Sequence, residues 1–320
     1  MKRATAELLE DRGEAAAGED FFRSRPFLDA EGVTHTLRIA GAQGELLAPL
    51  IVREIGEGPE RDAISPYGYP GVVAASEIDH TRGGSMSVAR IDPDQVDFSA
   101  TGLVSAFIRH RLDAAHLSGA SERSTVLLAD PALPPKSRPS DRNRINKNLR
   151  RGYKVSIVPG RRTAAAERAG FLAAYEQTMR RAGAAPRYFF GADYFDRILE
   201  SEWSWLALAL DPGGEVAAAS IAVRSDGFLH YYLSGSTDAT LRDSPMKNVV
   251  ASLTGLAAEL ALPLNLGGGI APGDRLEEFK RGFANREQAW LTSEVVCAAD
   301  AYARLSAGHA AGGFFPAYRA

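Results

Sequence analysis

The chain has 320 residues, of which 45% are hydrophobic and 24% charged, and its formal net charge is -3. This is a globular profile, and it excludes the fibrous and disordered classes. A polycation is excluded too, so any affinity for nucleic acid must come from a local patch.

The length suits two domains of ordinary size, or one large domain. Cys297 is the single cysteine, so no intrachain disulfide can form. The histidines (His35, His80, His110, His116, His230, His309) are scattered without zinc spacing. The N-terminus is charged and lacks the apolar core of a secretory signal. No apolar stretch approaches the roughly 20 residues of a membrane span. The expectation is a soluble cytoplasmic protein with no membrane span. The sequence carries no signal for its oligomeric state.

In chain order, the first twenty residues read as a loose or partly helical start. HTLRIAGAQGELLAPLIVREI, 35 to 55, reads as a hairpin whose turn ends at Gly44-Glu45. SPYGYPG follows at 65 to 71, then a helix-like run, LVSAFIRHRLDAAHL, at 103 to 117. Pro131, Pro134, Pro135 and Pro139 break secondary structure. A helix is expected next, capped by Ser140 or Asp141 and ending at Gly152, with Ile145 and Leu149 packing inward. AAAERAGFLAAYEQTMRRAGA places Phe171, Leu172, Tyr175 and Met179 at helical spacing. A short helix, ADYFDRILE, comes next. WLALALDPGGEVAAASIAVRS, 205 to 225, is a second hairpin, with its turn at Gly214-Glu215. A strand through HYYLSGS, the helix MKNVVASLTGLAAELA, a strand LPLNLGGG, a helix DRLEEFKRGF and strands around Gln288 to Cys297 complete the chain. The two Gly-Glu pairs are about 170 residues apart. Hairpin, Tyr-rich segment and helix-like run recur in the same order around each, which reads as two copies of a related α/β unit.

Arg142, Arg144, Lys147, Arg150, Arg151 and Lys154 are opposed locally by Asp141 alone. They form either a solvated helix face or a contact for an anionic partner. Bases with no interleaved acid repel one another unless an anion is near, which favours the partner. NLGGGIAPGD, 265 to 274, could cradle a phosphate through its N–H groups. It lacks the lysine arrangement of a P-loop and the context of a dinucleotide fold, so a tight strand-to-helix connection is preferred. Beyond it, Phe279 and Phe283 stand four apart and anchor a short helix carrying Lys280 and Arg281. Such anchoring holds a cation in place, as an electrostatic stabiliser must be held. Arg180, Arg187, Tyr188, Tyr194, Tyr231 and Tyr232 read either as core-edge aromatics with snorkelled arginines or as a site for a phosphorylated ligand. Cys297 reads as a buried structural thiol. There is no nucleophile elbow and no metal site.

KSRPSDRNRINKNLRRGYKV, FLAAYEQTMRRAGAAPRYFFGADYF, HYYLSGS, LNLGGG, LEEFKRGF and the closing GGFFPAYR together resemble the FemAB-type family. This is a GNAT-related group of aminoacyl- and acyltransferases that includes the peptidoglycan-bridge enzymes. SPYGYPG also matches, so the resemblance runs from about residue 35 to the end. It implies an α/β fold of two GNAT-like domains (a duplicated acyl-CoA N-acyltransferase type), each a mixed sheet flanked by helices, over 1–138 and 139–320. It implies a transferase that moves an aminoacyl group from aminoacyl-tRNA to an amine of a peptide acceptor by direct aminolysis. The acceptor would be a peptidoglycan precursor or a peptide natural product, as in antibiotic biosynthesis. An acyl-CoA-dependent N-acyltransferase is the alternative. No cofactor is implied, since aminoacyl-tRNA (or acyl-CoA) is a co-substrate.

Residue by residue, the family's late Phe-Lys pair falls on Phe279 and Lys280, and its lysine, implicated at the donor end, makes Lys280 the expected catalytic residue. The family's substrate contacts would be similar to Arg180, Arg187, Tyr194, Tyr232 and Phe279. The polyanionic donor would meet Arg142, Arg144, Lys147, Arg150 and Arg151. Two departures qualify the match. STDATLRDSP lacks the Arg/Gln-and-glycine run of a CoA-binding loop, which favours tRNA. No coiled-coil arm is inserted between the halves, so the acceptor need not be a peptidoglycan precursor.

Overall fold

The computed structural model describes residues 4–42, 44–78, 87, 88, 91–269, 271, 273–309 and 314–320. His80, Ile270, Pro272, Gly312 and Gly313 lie outside the described residues. The chain divides into one unit of Met1–Arg123 with Trp290–Ala320, and a second of Ser124–Ala289. The sequence boundary at 138/139 therefore falls within the second unit, and the last residues belong to the first. The Pro-rich stretch breaks secondary structure without leaving its unit. Leu127 and Ala129 sit in the second unit's core. Asn285 Oδ1 accepts from the Asp130 N–H at 2.8 Å, and Asn285 Nδ2 donates to Asp130 O at 2.9 Å and Pro134 O at 3.2 Å.

The first unit contains β1 (Ala4–Leu9), α1 (Arg25–Ala30), β2 (His35–Gly41), β3 (Gly44–Glu54), β4 (Arg61–Ile64), β5 (Val73–Ala74), α2 (Ala75–Ile78), β6 (Val96–Asp97) and β7 (Leu103–Arg109). The chain passes into the second unit within β8 (Ser121–Ala129). That unit contains α3 (Pro139–Arg150), β9 (Lys154–Pro159), α4 (Ala165–Arg181), α5 (Ala192–Leu199), β10 (Ser204–Leu210), β11 (Val216–Ser225), β12 (Phe228–Ser236), α6 (Met246–Glu259), β13 (Leu264–Gly267) and α7 (Arg275–Arg281). The chain returns within β14 (Arg286–Val296) and ends after α8 (Ala299–Ser306).

The first unit's sheet runs β6-β1-β2-β3-β4-β7-β14, parallel at β6/β1 and β4/β7 and otherwise antiparallel. Leu37, Ile39, Leu46, Leu50, Ala106 and Ile108 are among its core residues. The expected hairpin forms with Gly41 opposite Gly44. Two expectations change. Residues 4–9 form a strand because they pair with β2. The helix expected at 103–117 is instead strand β7, because Ala106 pairs with Ala63 and Phe107 with Glu294. An apolar run buried on both faces has no period that separates strand from helix.

The second unit's sheet runs β8-β13-β12-β11-β10-β9, and only β12/β13 is parallel. Helix α6 buries Val249, Val250, Leu253 and Ala257 against Ala218, Ala222, Leu229 and Leu264. Helix α4 approaches β12 so closely that a Cβ at Gly235 would lie 2.4 Å from Ala174 O. Helix α3 forms as expected, but Arg138 is its N-cap and Pro139 opens its first turn. Its inward face is also different. Asp141 and Asn148 are buried and Ile145 is half-buried, whereas Leu149 is 48% exposed.

Candidate functional site

Strands β12 and β13 pair at only two positions, Leu229 with Leu264 and His230 with Asn265. Beyond these, β12 continues to Ser236 and β13 turns toward β8, with a register shift between Asn265 and Gly267. On β12 the register against β11 shifts so that Ala222 faces Tyr231 and Ile221 faces Leu233, which leaves Tyr232 as a bulged residue. A strand–loop–helix junction leaves each strand from this point. One leads through 237–245 to α6 and the other through 268–274 to α7.

The second junction is closed by its own acids. Asp274 caps α7 by accepting from Glu277 N at 2.7 Å, and its other oxygen accepts from Ala271 N at 3.0 Å. Glu277 accepts from Gly273 N at 2.7 Å and from Arg281 Nε at 2.7 Å, and these bonds hold its carboxyl below the usual range. The N–H groups of Ala271, Gly273 and Glu277 are thus taken up by the junction's own carboxylates.

Lys280 lies beneath this loop and is 7% exposed. Its Nζ donates to Gly268 O at 2.6 Å. Burial lowers its pKa to about 8, and the nearby charge of Asp274 only partly offsets this. Phe279 and Phe283 meet edge to face with centroids 5.7 Å apart, which is the anchoring that their spacing implied. Gly267 has φ +70°, and a Cβ there would stand 3.3 Å from Lys280 Nζ.

The first junction is held from outside. Its last turn, Asp238–Asp243, passes through Ser244 at φ 51° into α6. The Asp243 carboxylate takes both Arg151 and the Tyr153 hydroxyl, the latter at 2.9 Å. Asn148 Nδ2 donates to Asp243 O at 2.9 Å and to Asn248 Oδ1 at 2.8 Å. Lys247 pairs with buried Asp141 at 2.6 Å. Desolvation raises the Asp243 carboxyl, but Tyr153, Arg151 and Arg144 outweigh it and hold the group below its ordinary pKa. Burial, then Asp243, pushes the Tyr153 phenol up to about 12.

These contacts sort the basic residues. Arg151 is committed to Asp243, and Arg144 is half-buried near it. Arg142, which donates to Ser137 O, is exposed, as are Lys147 and Arg150.

The aromatic residues also divide. The Tyr194 and Tyr232 hydroxyls meet at 3.0 Å, and Phe190 stacks on Tyr194 at 4.1 Å. Arg187 lies 4.9 Å over the Tyr188 ring, and Tyr175 donates to Tyr188 O at 2.8 Å. Tyr231 packs instead into the core cluster that holds Phe279 and Phe283. Arg180 stays on the surface of α4, paired with Glu176 at 2.6 Å.

His230 and Asn265 escaped the sequence reading. They carry the buried end of the parallel ladder, with Asn265 Nδ2 3.0 Å from His230 Nδ1. The signal available was an Asn followed by glycines in LNLGGG, which suits a side-chain-capped turn. Two surface pockets, of about 460 Å³ beside β9 and α6 and about 420 Å³ between α4 and α5, are lined by none of the expected site residues. Among the described residues no group of three His, Cys, Asp or Glu could hold a metal ion, and no helix is long and apolar enough to cross a membrane. Cys297 is half-buried, and desolvation pushes its thiol up to about 12.

Residues 136–281 match the family model described as an acetyltransferase (GNAT) domain. A search of curated proteins gave no match. Among solved structures, the fold is similar to that of FemX, with TM-score 0.61 and 11% identity over 93% of this chain and 99% of that one. It is similar to the C-terminal DUF2156 domain of a putative lysylphosphatidylglycerol synthetase from Agrobacterium fabrum, with TM-score 0.53 and 14% identity over 91% and 92% of the two chains. It is also similar to L-PGS from Bacillus licheniformis, with TM-score 0.51 and 11% identity over 84% and 85%. At these identities the likeness is one of fold. The matched domain is the GNAT type that the resemblance implies, and the fold is one that FemX shares.

Proposed function

We propose that this chain, an acyltransferase with a GNAT domain over residues 136–281, moves an aminoacyl group from aminoacyl-tRNA to an amine of a peptide acceptor. The acceptor is a peptidoglycan precursor or a peptide natural product. The observation that carries the reading is the Lys280 amine, which is buried beside the turn where β13 leaves β12. One of its N–H groups binds Gly268, and the described residues give the others no partner.

The reaction is a direct aminolysis. The acceptor nitrogen attacks the ester carbonyl, a C–N bond forms, the C–O bond to the ribose breaks, and the proton lost by the amine ends on the ribose oxygen. An activated ester and an amine need little beyond alignment. Lys280 stabilises the negative charge on the tetrahedral intermediate, and its low exposure strengthens that attraction. Tyr194 and Tyr232 form the substrate side together with Phe279 and Arg187. The exposed bases Arg142, Lys147 and Arg150 offer the polyanionic donor a surface. Against CoA stands the first junction, whose neighbouring cation Arg151 is already paired and whose sequence lacks the Arg/Gln-and-glycine run.

The test is mass-spectrometric. The protein is incubated with aminoacyl-tRNAs or acyl-CoAs and with amine acceptors, a UDP-linked muramyl pentapeptide and small peptides, with and without RNase. Product that vanishes with RNase is the expected result. Product that survives RNase and requires acyl-CoA replaces the reading with an acyl-CoA-dependent N-acyltransferase.

A further inference from the structure

Both His230 and Asn265 are 2% exposed, and hydrogen bonds together with the Gly267–Gly268 backbone link them to Lys280. The His230 ring is neutral, because burial lowers its pKa to about 4. A neutral imidazole has one donor and one acceptor nitrogen. Nε2 faces Ser225 O at 3.3 Å and donates, so Nδ1 accepts. The Asn265 amide must then present its NH2 to Nδ1, at 3.0 Å, and its Oδ1 elsewhere. That oxygen accepts the Gly267 N–H at 2.8 Å. Two peptides further on, the Gly268 carbonyl accepts from Lys280 Nζ at 2.6 Å.

We propose that Asn265, oriented by His230, is a positioning residue that fixes the Gly267–Gly268 turn and so holds the Lys280 amine where β12 and β13 part. The proposal rests on the reading of Lys280 as the charge-stabilising group. The turn is made of glycines, which have no side chain to keep this geometry. Gly267 is left-handed at φ +70°, and a Cβ on Gly268 would stand 2.7 Å from Thr125 O. A turn released from Asn265 is free to carry the carbonyl away from the amine. Water then reaches Nζ, and its position relative to the ester is lost.

The test follows Lys280 directly in the full chain. The chain has six lysines, so 13C-labelled lysine side chains give few resonances, and Lys280→Met assigns the one of interest. Asn265→Ala and His230→Leu should move the Lys280 titration midpoint up towards that of an ordinary lysine. They should lower kcat by up to about 100-fold with KM little changed. His230→Asn, whose Oδ1 stands where the ring Nδ1 stood, should restore the midpoint and the rate. Melting curves accompany each variant. Should Asn265→Ala fail to fold, the two His230 variants decide, because they leave Asn265 in place. A folded His230→Leu with the parental Lys280 midpoint and kcat overturns the proposal. Near-full turnover by Lys280→Met overturns the reading of Lys280 instead, and the titration still reports whether Asn265 holds the amine.

Discussion

The two junctions that leave β12 and β13 start at neighbouring strands and end at helix N-termini, yet they are stabilised in opposite ways. The loop before α6 is tied by residues about a hundred positions earlier in the chain, through Asn148, Arg151 and Tyr153. The loop before α7 is tied by its own Asp274 and Glu277. The first arrangement uses up cations to fasten a loop. The second leaves a desolvated cation beneath the loop with one carbonyl for company. A strand–loop–helix motif therefore does not announce a phosphate site. What matters is which groups its N–H donors and neighbouring cations already hold.

The largest effect expected from breaking the second junction is that of Lys280→Met, which should reduce turnover by about 100- to 1,000-fold. Stability should move the other way. The folded amine titrates near 8 rather than at the usual 10.5, so between those values the unfolded chain binds the proton more tightly. Stability of the parent then rises with pH across this window, and below pH 8 the buried charge is fully unfavourable. Melting at pH 7 should show Lys280→Met at or above the parent, with the gap closing towards pH 10. A variant that melts lower would mean that the amine is structural.

His230 sharpens the contrast through acid. Its folded pKa near 4 lies below the ordinary 6.5, so its contribution is intact above pH 6.5 and is lost as pH falls towards 4. The loss should be up to roughly 3 kcal/mol. Urea titrations at pH 7 and pH 4.5 should show that His230→Leu is less acid-sensitive than the parent. Equal acid sensitivity would mean that the ring is not neutral in the fold.

At the first junction, Asp243→Ala should cost about 1–3 kcal/mol in denaturant titrations, because it leaves the Tyr153 hydroxyl buried without its acceptor. The smallest effect belongs to RNA affinity. Arg150→Ala should lower the slope of log affinity against log salt by about 1, and Arg151→Ala by less, since its cation is already paired. Equal slopes would show that Asp243 releases Arg151 when RNA binds.

Much of this was legible in the residues. The helical spacing of Phe171 and Tyr175 marked α4, and Phe279 with Phe283 marked the short helix that buries Lys280. What was not legible depends on partners far along the chain. Leu149 was expected inside and Asn148 was not. Asn148 is buried with its NH2 group bound by Asp243 and Asn248, and no local spacing reveals that. Asn265 and His230 meet only across a two-residue parallel ladder, which leaves no periodic trace. Strand β7 read as helix because its burial comes from two flanking strands rather than from its own pattern.

The second unit is drawn from one uninterrupted stretch, whereas the first is finished only by residues 290–320. Those residues supply the partner strand of β7 and the Arg319 that meets fully buried Asp62. On a ribosome the order of completion is therefore the reverse of the order of synthesis. The stretch bearing Lys280 is fully available while β7 still lacks β14 and Asp62 still lacks Arg319. A factor that guards the nascent chain would have the earlier-made half to protect, and for longer.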